Sequence, residues 1–74
     1  MKIVKVIEMI SASEKGFEDA IQNCLTEASK TVRNIDSIYV SEMKVHVCDN
    51  KITTYGVNCK VSFRVENGEE NTQP

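Results

Sequence analysis

Tyr55-Gly56-Val57-Asn58-Cys59-Lys60-Val61-Ser62-Phe63-Arg64-Val65-Glu66 decides the fold, because it alternates without a break. Tyr55, Val57, Cys59, Val61, Phe63 and Val65 share one face of an extended chain, and Gly56, Asn58, Lys60, Ser62, Arg64 and Glu66 share the other. A period of two marks a strand with one face in a core and one in water, an arrangement common in antiparallel sheets. Upstream, Cys48-Asp49-Asn50-Lys51 reads as a tight turn, since Asp and Asn tolerate the positive φ angles a hairpin needs. The preceding strand therefore pairs antiparallel with this one. In it, Ile38 and Val40 have one parity and Met43, Val45 and Val47 the other. One extra residue near Ser41-Glu42 reconciles the two sets and bends the strand.

Working back to the N-terminus, Lys2 to Ile10 is rich in Val and Ile and reads as a first strand buried largely on one face. Ser11 to Gly16 interrupts that pattern, with Ser13 placed to cap a helix whose first turn carries Glu14. Phe17, Ala20, Ile21, Cys24, Leu25, Ala28, Val32 and Ile35 then recur at helical spacing, with Glu18, Gln22, Asn23, Glu27, Lys30 and Arg33 opposite. This pattern predicts an amphipathic helix of about 20 residues. The expected class is α+β, with a single helix packed on a three-stranded antiparallel sheet in the order β-α-β-β. Residues 1–66 form the expected domain. Residues 67–74 hold no apolar side chain and are expected to be a disordered tail.

The chain has 74 residues, 41% of them hydrophobic and 27% charged, enough for one small core of marginal stability. A formal net charge of -2 with no basic run argues against nucleic acid as a partner. The apolar runs are too short to span a bilayer, and Lys2 and Lys5 break up any signal-peptide core, so a cytoplasmic location and no membrane partner are expected. The 3 cysteines, Cys24, Cys48 and Cys59, lack Cys-x-x-Cys spacing and read as reduced, mostly buried thiols. His46 reads as an exposed strand residue, and no triad order surrounds it or a nucleophilic Cys48 or Cys59, so no catalytic residue is assigned. No protein metal set is assigned within the chain either. A single helix covers one sheet face only. The other face, read as polar, and the sheet edges stay open, which points to self-association.

Val4-Lys5-Val6-Ile7-Glu8, Ser11-Ala12-Ser13, Asp19-Ala20-Ile21-Gln22, Ala28-Ser29-Lys30-Thr31-Val32-Arg33-Asn34 and Lys60-Val61-Ser62-Phe63-Arg64-Val65 resemble, in order and spacing, the dodecins over residues 2–66. The resemblance implies a non-enzymatic homododecamer, a hollow shell of cubic symmetry that stores or sequesters flavin (riboflavin, FMN or FAD). In flavin-binding members a Trp of the second strand and a Gln after the Tyr of the third hold the flavin pair. The matching positions here are Ser37 and Gly56, which offer neither a large π-face nor an amide. Tyr39 lies on the same strand face as Ser37 and is the remaining stacking candidate. Lys44 and Arg64 match basic positions near a ligand phosphate, with Lys44 standing where relatives carry Arg. Ligand-binding candidates are thus Ser37, Tyr39, Lys44, Gly56 and Arg64. The alternative is a structural or calcium-binding shell, as in relatives that lack the Trp, with Glu8, Glu42 and Glu66 meeting at a symmetry axis.

Overall fold

The hairpin organises the molecule. In the computed structural model, which describes residues 3–65, Asp49 and Asn50 adopt φ of 52° and 64° between paired Cys48 and Lys51. Two successive left-handed residues are what a twisted two-residue hairpin turn requires. The turn joins β2 (Ile35–Cys48) to β3 (Lys51–Val65), and β1 (Ile3–Ser13) pairs along the far side of β3, giving the order β1-β3-β2, all antiparallel. β3 is central. That position explains its clean alternation: Val57, Cys59 and Val61 are buried under the helix, while both neighbours supply backbone partners.

The anticipated bulge is present. Val40 pairs with Cys59 and Glu42 with Asn58, leaving Ser41 without a partner. Its hydroxyl donates to the carbonyl of Asn58 at 3.1 Å, satisfying an acceptor at the irregular step. Two further irregularities were not foreseen: Asp36 is extra on β2, and Thr53 is extra on β3, where its hydroxyl donates to the His46 carbonyl at 3.2 Å. Ser41 and Thr53 thus use short hydroxyl side chains in the same way.

Helix α1 runs from Phe17 to Ala28, shorter at both ends than its periodicity suggested. Gly16, not Ser13, is the residue that precedes the first turn, and no side chain caps it. Ser13 instead ends β1, accepting the Lys15 N–H at 2.8 Å and donating to Asp19 Oδ2 at 2.7 Å. Glu18 and Asp19, rather than Glu14, occupy the first turn and face the positive end of the helix dipole. At the other end, Ser29, Thr31 and Val32 are poor helix formers, and Asn34 turns the chain at φ 60°. Val32 therefore lies in the connection and Ile35 opens β2, although both continue the apolar spacing.

Ala20, Cys24 and Ala28 form the buried stripe of the helix, and with Val57, Cys59 and Val61 they make the core. The two alanines let the helix backbone approach β3 closely. Ile7, Met9, Phe17, Ile21, Ile35, Ile38 and Val40 pack around this centre. Phe17 meets Tyr55 edge to face, with ring centroids 5.1 Å apart, fixing the helix start over β3 where its pairing with β1 ends. Beyond that contact the hairpin runs on uncovered. Met43, Val45, Val47 and Ile52 lie on the helix side of the sheet but are 37% to 62% exposed. The described chain measures 56 × 18 × 14 Å, too thin to shield them itself.

Candidate functional site

Strand register places every ligand-binding candidate on the sheet face away from the helix. Directly paired residues of an antiparallel sheet project to the same side, so the exposed members of β3 carry their partners with them. Ser62 faces Ser37, Lys60 faces Tyr39, Gly56 faces Lys44, and Arg64 faces Val4 across the β1 pair. The bulge at Ser41 makes this possible, because without it Tyr39 and Lys44 would fall on opposite faces.

The five residues form two groups on that face. In the first, Ser37 and Ser62 share a hydroxyl–hydroxyl hydrogen bond of 2.7 Å, and Ser62 is only 7% exposed. Beside them Tyr39, with Val4, Val6, Asp36 and Lys60, borders an open hollow of about 380 Å³. Tyr39 is 64% exposed, so its ring is available on this side. Arg64 sits next along β3, where its backbone N–H donates to the Asn34 carbonyl at 3.0 Å and the residue borders a separate hollow with Arg33 and Phe63.

The second group is Lys44 and Gly56, with Glu42, Asn58 and Ile10 around a hollow of about 300 Å³. A Cβ built on Gly56 would sit 3.4 Å from both Cγ and Cε of Lys44. The lysine stem therefore lies over the glycine, occupying the position of a longer side chain at 56. Gly56 lies about 20 Å along β3 from Ser62, at about 3.3 Å per residue. The two groups cannot reach one small ligand within a single chain.

Sequence reasoning took this face as polar, and the structure corrects it. Val4, Val6 and Ile10 of β1 project there and are 47%, 55% and 73% exposed. The signal was present in β1, whose apolar residues occupy both parities: Ile7 and Met9 toward the helix, Val4, Val6 and Ile10 away from it. A strand apolar on both faces is one expected to be covered on both. Ser62 was also missed as a partner of Ser37; its signal was a small polar residue directly opposite another across a strand pair.

Of the remaining candidates, Glu8 pairs with Lys60 and Glu42 with Asn58, so both acids are on the open face but on the two outer strands. Glu66 lies outside the described residues, as does the tail expected at 67–74. Among the described residues no group of three His, Cys, Asp or Glu side chains is arranged to hold a metal ion. Cys24 and Cys59 are buried and Cys48 is exposed at the hairpin, all three as free thiols. No described helix is long and apolar enough to cross a membrane.

Residues 3–66 match the family model described as Dodecin. This chain belongs to the dodecin family. It is 37% identical to the dodecin of Thermus thermophilus over 65 residues, covering 88% of this chain and 94% of that one. A crystal structure of an arginine-to-alanine variant of the T. thermophilus dodecin superposes with a TM-score of 0.86 at 36% identity, covering 90% of this chain and 100% of the other. The Streptomyces coelicolor dodecin gives 0.84 at 29% identity, with 89% and 94% covered. The calcium dodecin of Mycobacterium tuberculosis, described as a calcium-chelating antigen with a novel calcium-binding site, gives 0.75 at 28% identity, with 97% of each chain covered. As a dodecin, the chain is a small ligand-binding protein with the expected β-α-β-β subunit.

Proposed function

We propose that this dodecin is a non-enzymatic, self-assembling shell, built from residues 1–66, that holds a small planar ligand against the helix-free sheet face. The observation that carries the reading is the exposed Tyr39 ring, bordered by Val4 and Val6 and floored by the Ser37–Ser62 hydroxyl pair. An aromatic and aliphatic wall beside hydroxyl groups suits a flat ring with a polar edge. Self-association is supported by apolar residues exposed on both sheet faces, Val4, Val6 and Ile10 on one and Met43, Val47 and Ile52 on the other. It is also supported by the distance between Ser37 and Gly56, which only a second copy can bridge. The shell would be a homododecamer in the cytoplasm.

Flavin is the family's ligand class, and the residues here fit it only in part. The hydroxyl of Ser37 is engaged by Ser62, and Gly56 presents the Lys44 stem instead of an amide. A sandwich between two large side chains is therefore not built. The exposed Tyr39 ring offers a surface for one-sided stacking, and Lys44 and Arg64 offer cations for a phosphate where a ligand carries one. Riboflavin, FMN and FAD titrated into the native assembly, with flavin fluorescence followed, tests the reading. Quenching that weakens about tenfold or more in Tyr39→Ala supports it. Quenching unaffected by that substitution, or none, overturns it.

A calcium-binding shell is the second reading, favoured by Glu8 and Glu42 projecting from the same open face and by the likeness to the calcium dodecin. Each chain offers too few ligands, so copies would have to pool their carboxylates. A calcium-dependent rise in thermal midpoint, lost in Glu42→Gln and reversed by chelator, supports this reading; its absence removes it.

A further inference from the structure

We propose that Cys24 and Cys59 are an oxidisable pair which, on exposure to a peroxide, closes into an intrachain disulfide tying the helix to the central strand. Both are free thiols. Cys24 is the middle member of the helix stripe Ala20, Cys24, Ala28, and Cys59 is the middle member of the strand set Val57, Cys59, Val61. They therefore meet at the centre of the contact, with exposures of 1% and 0%. The alanines on either side of Cys24 are small enough to bring helix and strand backbones close, as a disulfide requires. Both belong to one packed core, and Cys24 is near enough to Cys59 to help raise its thiol pKa.

The chemistry balances with hydrogen peroxide as oxidant. One thiolate attacks a peroxide oxygen, the O–O bond breaks, and a sulfenic acid and the first water result. The second thiol attacks the sulfenic sulfur, the S–S bond forms, and the second water leaves. Two thiols lose two electrons and two protons, and one peroxide is reduced to two waters.

The same burial controls when this happens. Burial, reinforced by the neighbouring Cys24, pushes the Cys59 thiol from 9.0 up to about 11, so the reactive thiolate is scarce in the closed structure. Reaction therefore requires the helix to lift. Once closed, the bond holds down the helix that forms one whole side of the core.

The test uses the intact assembly of Cys48→Ser, which removes the exposed thiol. After treatment with hydrogen peroxide the protein is denatured in alkylating reagent, digested and weighed. The expected product is a linked peptide pair containing Cys24 and Cys59, lighter by two hydrogens, with no alkylation at either. The thermal midpoint should rise on the order of 10 °C and return on reduction. Alkylation of both cysteines, oxygen addition to one alone, or linkage between chains overturns the proposal. So does a disulfide that forms only after denaturant is added.

Discussion

Replacing Ser37 with Trp restores the large aromatic surface that flavin-binding dodecins carry at this position, and the structure sets both sides of the outcome. The loss is the 2.7 Å hydroxyl pair with Ser62, a hydrogen bond of about 1 kcal/mol net. That loss is limited, because the Ser62 hydroxyl also lies 3.4 Å from the Ser37 carbonyl and keeps an acceptor in the variant. The indole has room: it projects onto the open face beside Val4, Val6 and Tyr39, where the hollow is about 380 Å³. A ring stacked on an aromatic side chain gains about 1–3 kcal/mol, equivalent to roughly 5- to 150-fold in affinity. Ser37→Trp should therefore bind riboflavin at least several-fold more tightly than the parent, with the thermal midpoint lowered by roughly 5 °C or less. Flavin fluorescence quenching and thermal melting on the same preparation measure both quantities. Unchanged affinity in a folded, assembled variant would refute the idea that the stacking surface at 37 limits binding.

Other outcomes follow from single positions. Val61→Ala should lower stability by about 2–3 kcal/mol in denaturant titration, because a fully buried side chain loses its place between helix and sheet. Gly56→Ala should be neutral or stabilising by about 0.5 kcal/mol in the same experiment, since the new Cβ's tightest contacts are with the flexible Lys44 stem and the Lys44 carbonyl is at an ordinary 3.8 Å; a loss above about 1 kcal/mol would contradict that. Asn50→Val should cost about 1–2 kcal/mol whereas Asn50→Gly should not, because residue 50 holds φ of 64°. Stability should fall as pH rises from 9.0 toward about 11: the folded chain keeps the Cys59 proton that the unfolded chain releases, so alkali draws the equilibrium toward unfolding. Equilibrium unfolding across that range should lose this dependence in Cys59→Ala.

Most of the architecture was legible because the chain speaks in periods. The alternation from Tyr55 to Val65, the Asp49-Asn50 turn and the parity conflict in β2 each have one physical solution, and the structure adopts it. The helix ends were read too far out because spacing does not register where hydrogen bonding stops. Val32 and Ile35 continue the apolar rhythm, yet Ser29, Thr31 and Asn34 between and before them favour an exit from the helix. Ser13 has a capping residue's chemistry, but β1 pairs through to Tyr55 and claims its backbone for the sheet. The site was half legible. The sequence put Tyr39 with Ser37 and Gly56 with Arg64 but did not place Lys44, which the register at Ser41 brings to the same face, and the apolar contribution of Val4, Val6 and Ile10 depends on which strand is the neighbour of β3. That adjacency is a property of topology, which local patterns do not state.

The unpaired Ser41 has a consequence for how this protein can change length. From Ser37 to Tyr39 the odd-numbered residues of β2 look outward; from Glu42 to His46 the even-numbered ones do. An insertion or deletion of one residue in the strand would exchange Tyr39 and Ser37 for Ile38 and Val40 at the surface, burying a phenol and exposing two aliphatic side chains at a single stroke. Changes of two residues would leave the allocation intact. Lineages descending from this sequence should therefore tolerate length variation in β2 in even steps, with single-residue events surviving only where Ser41 itself is the residue gained or lost in compensation.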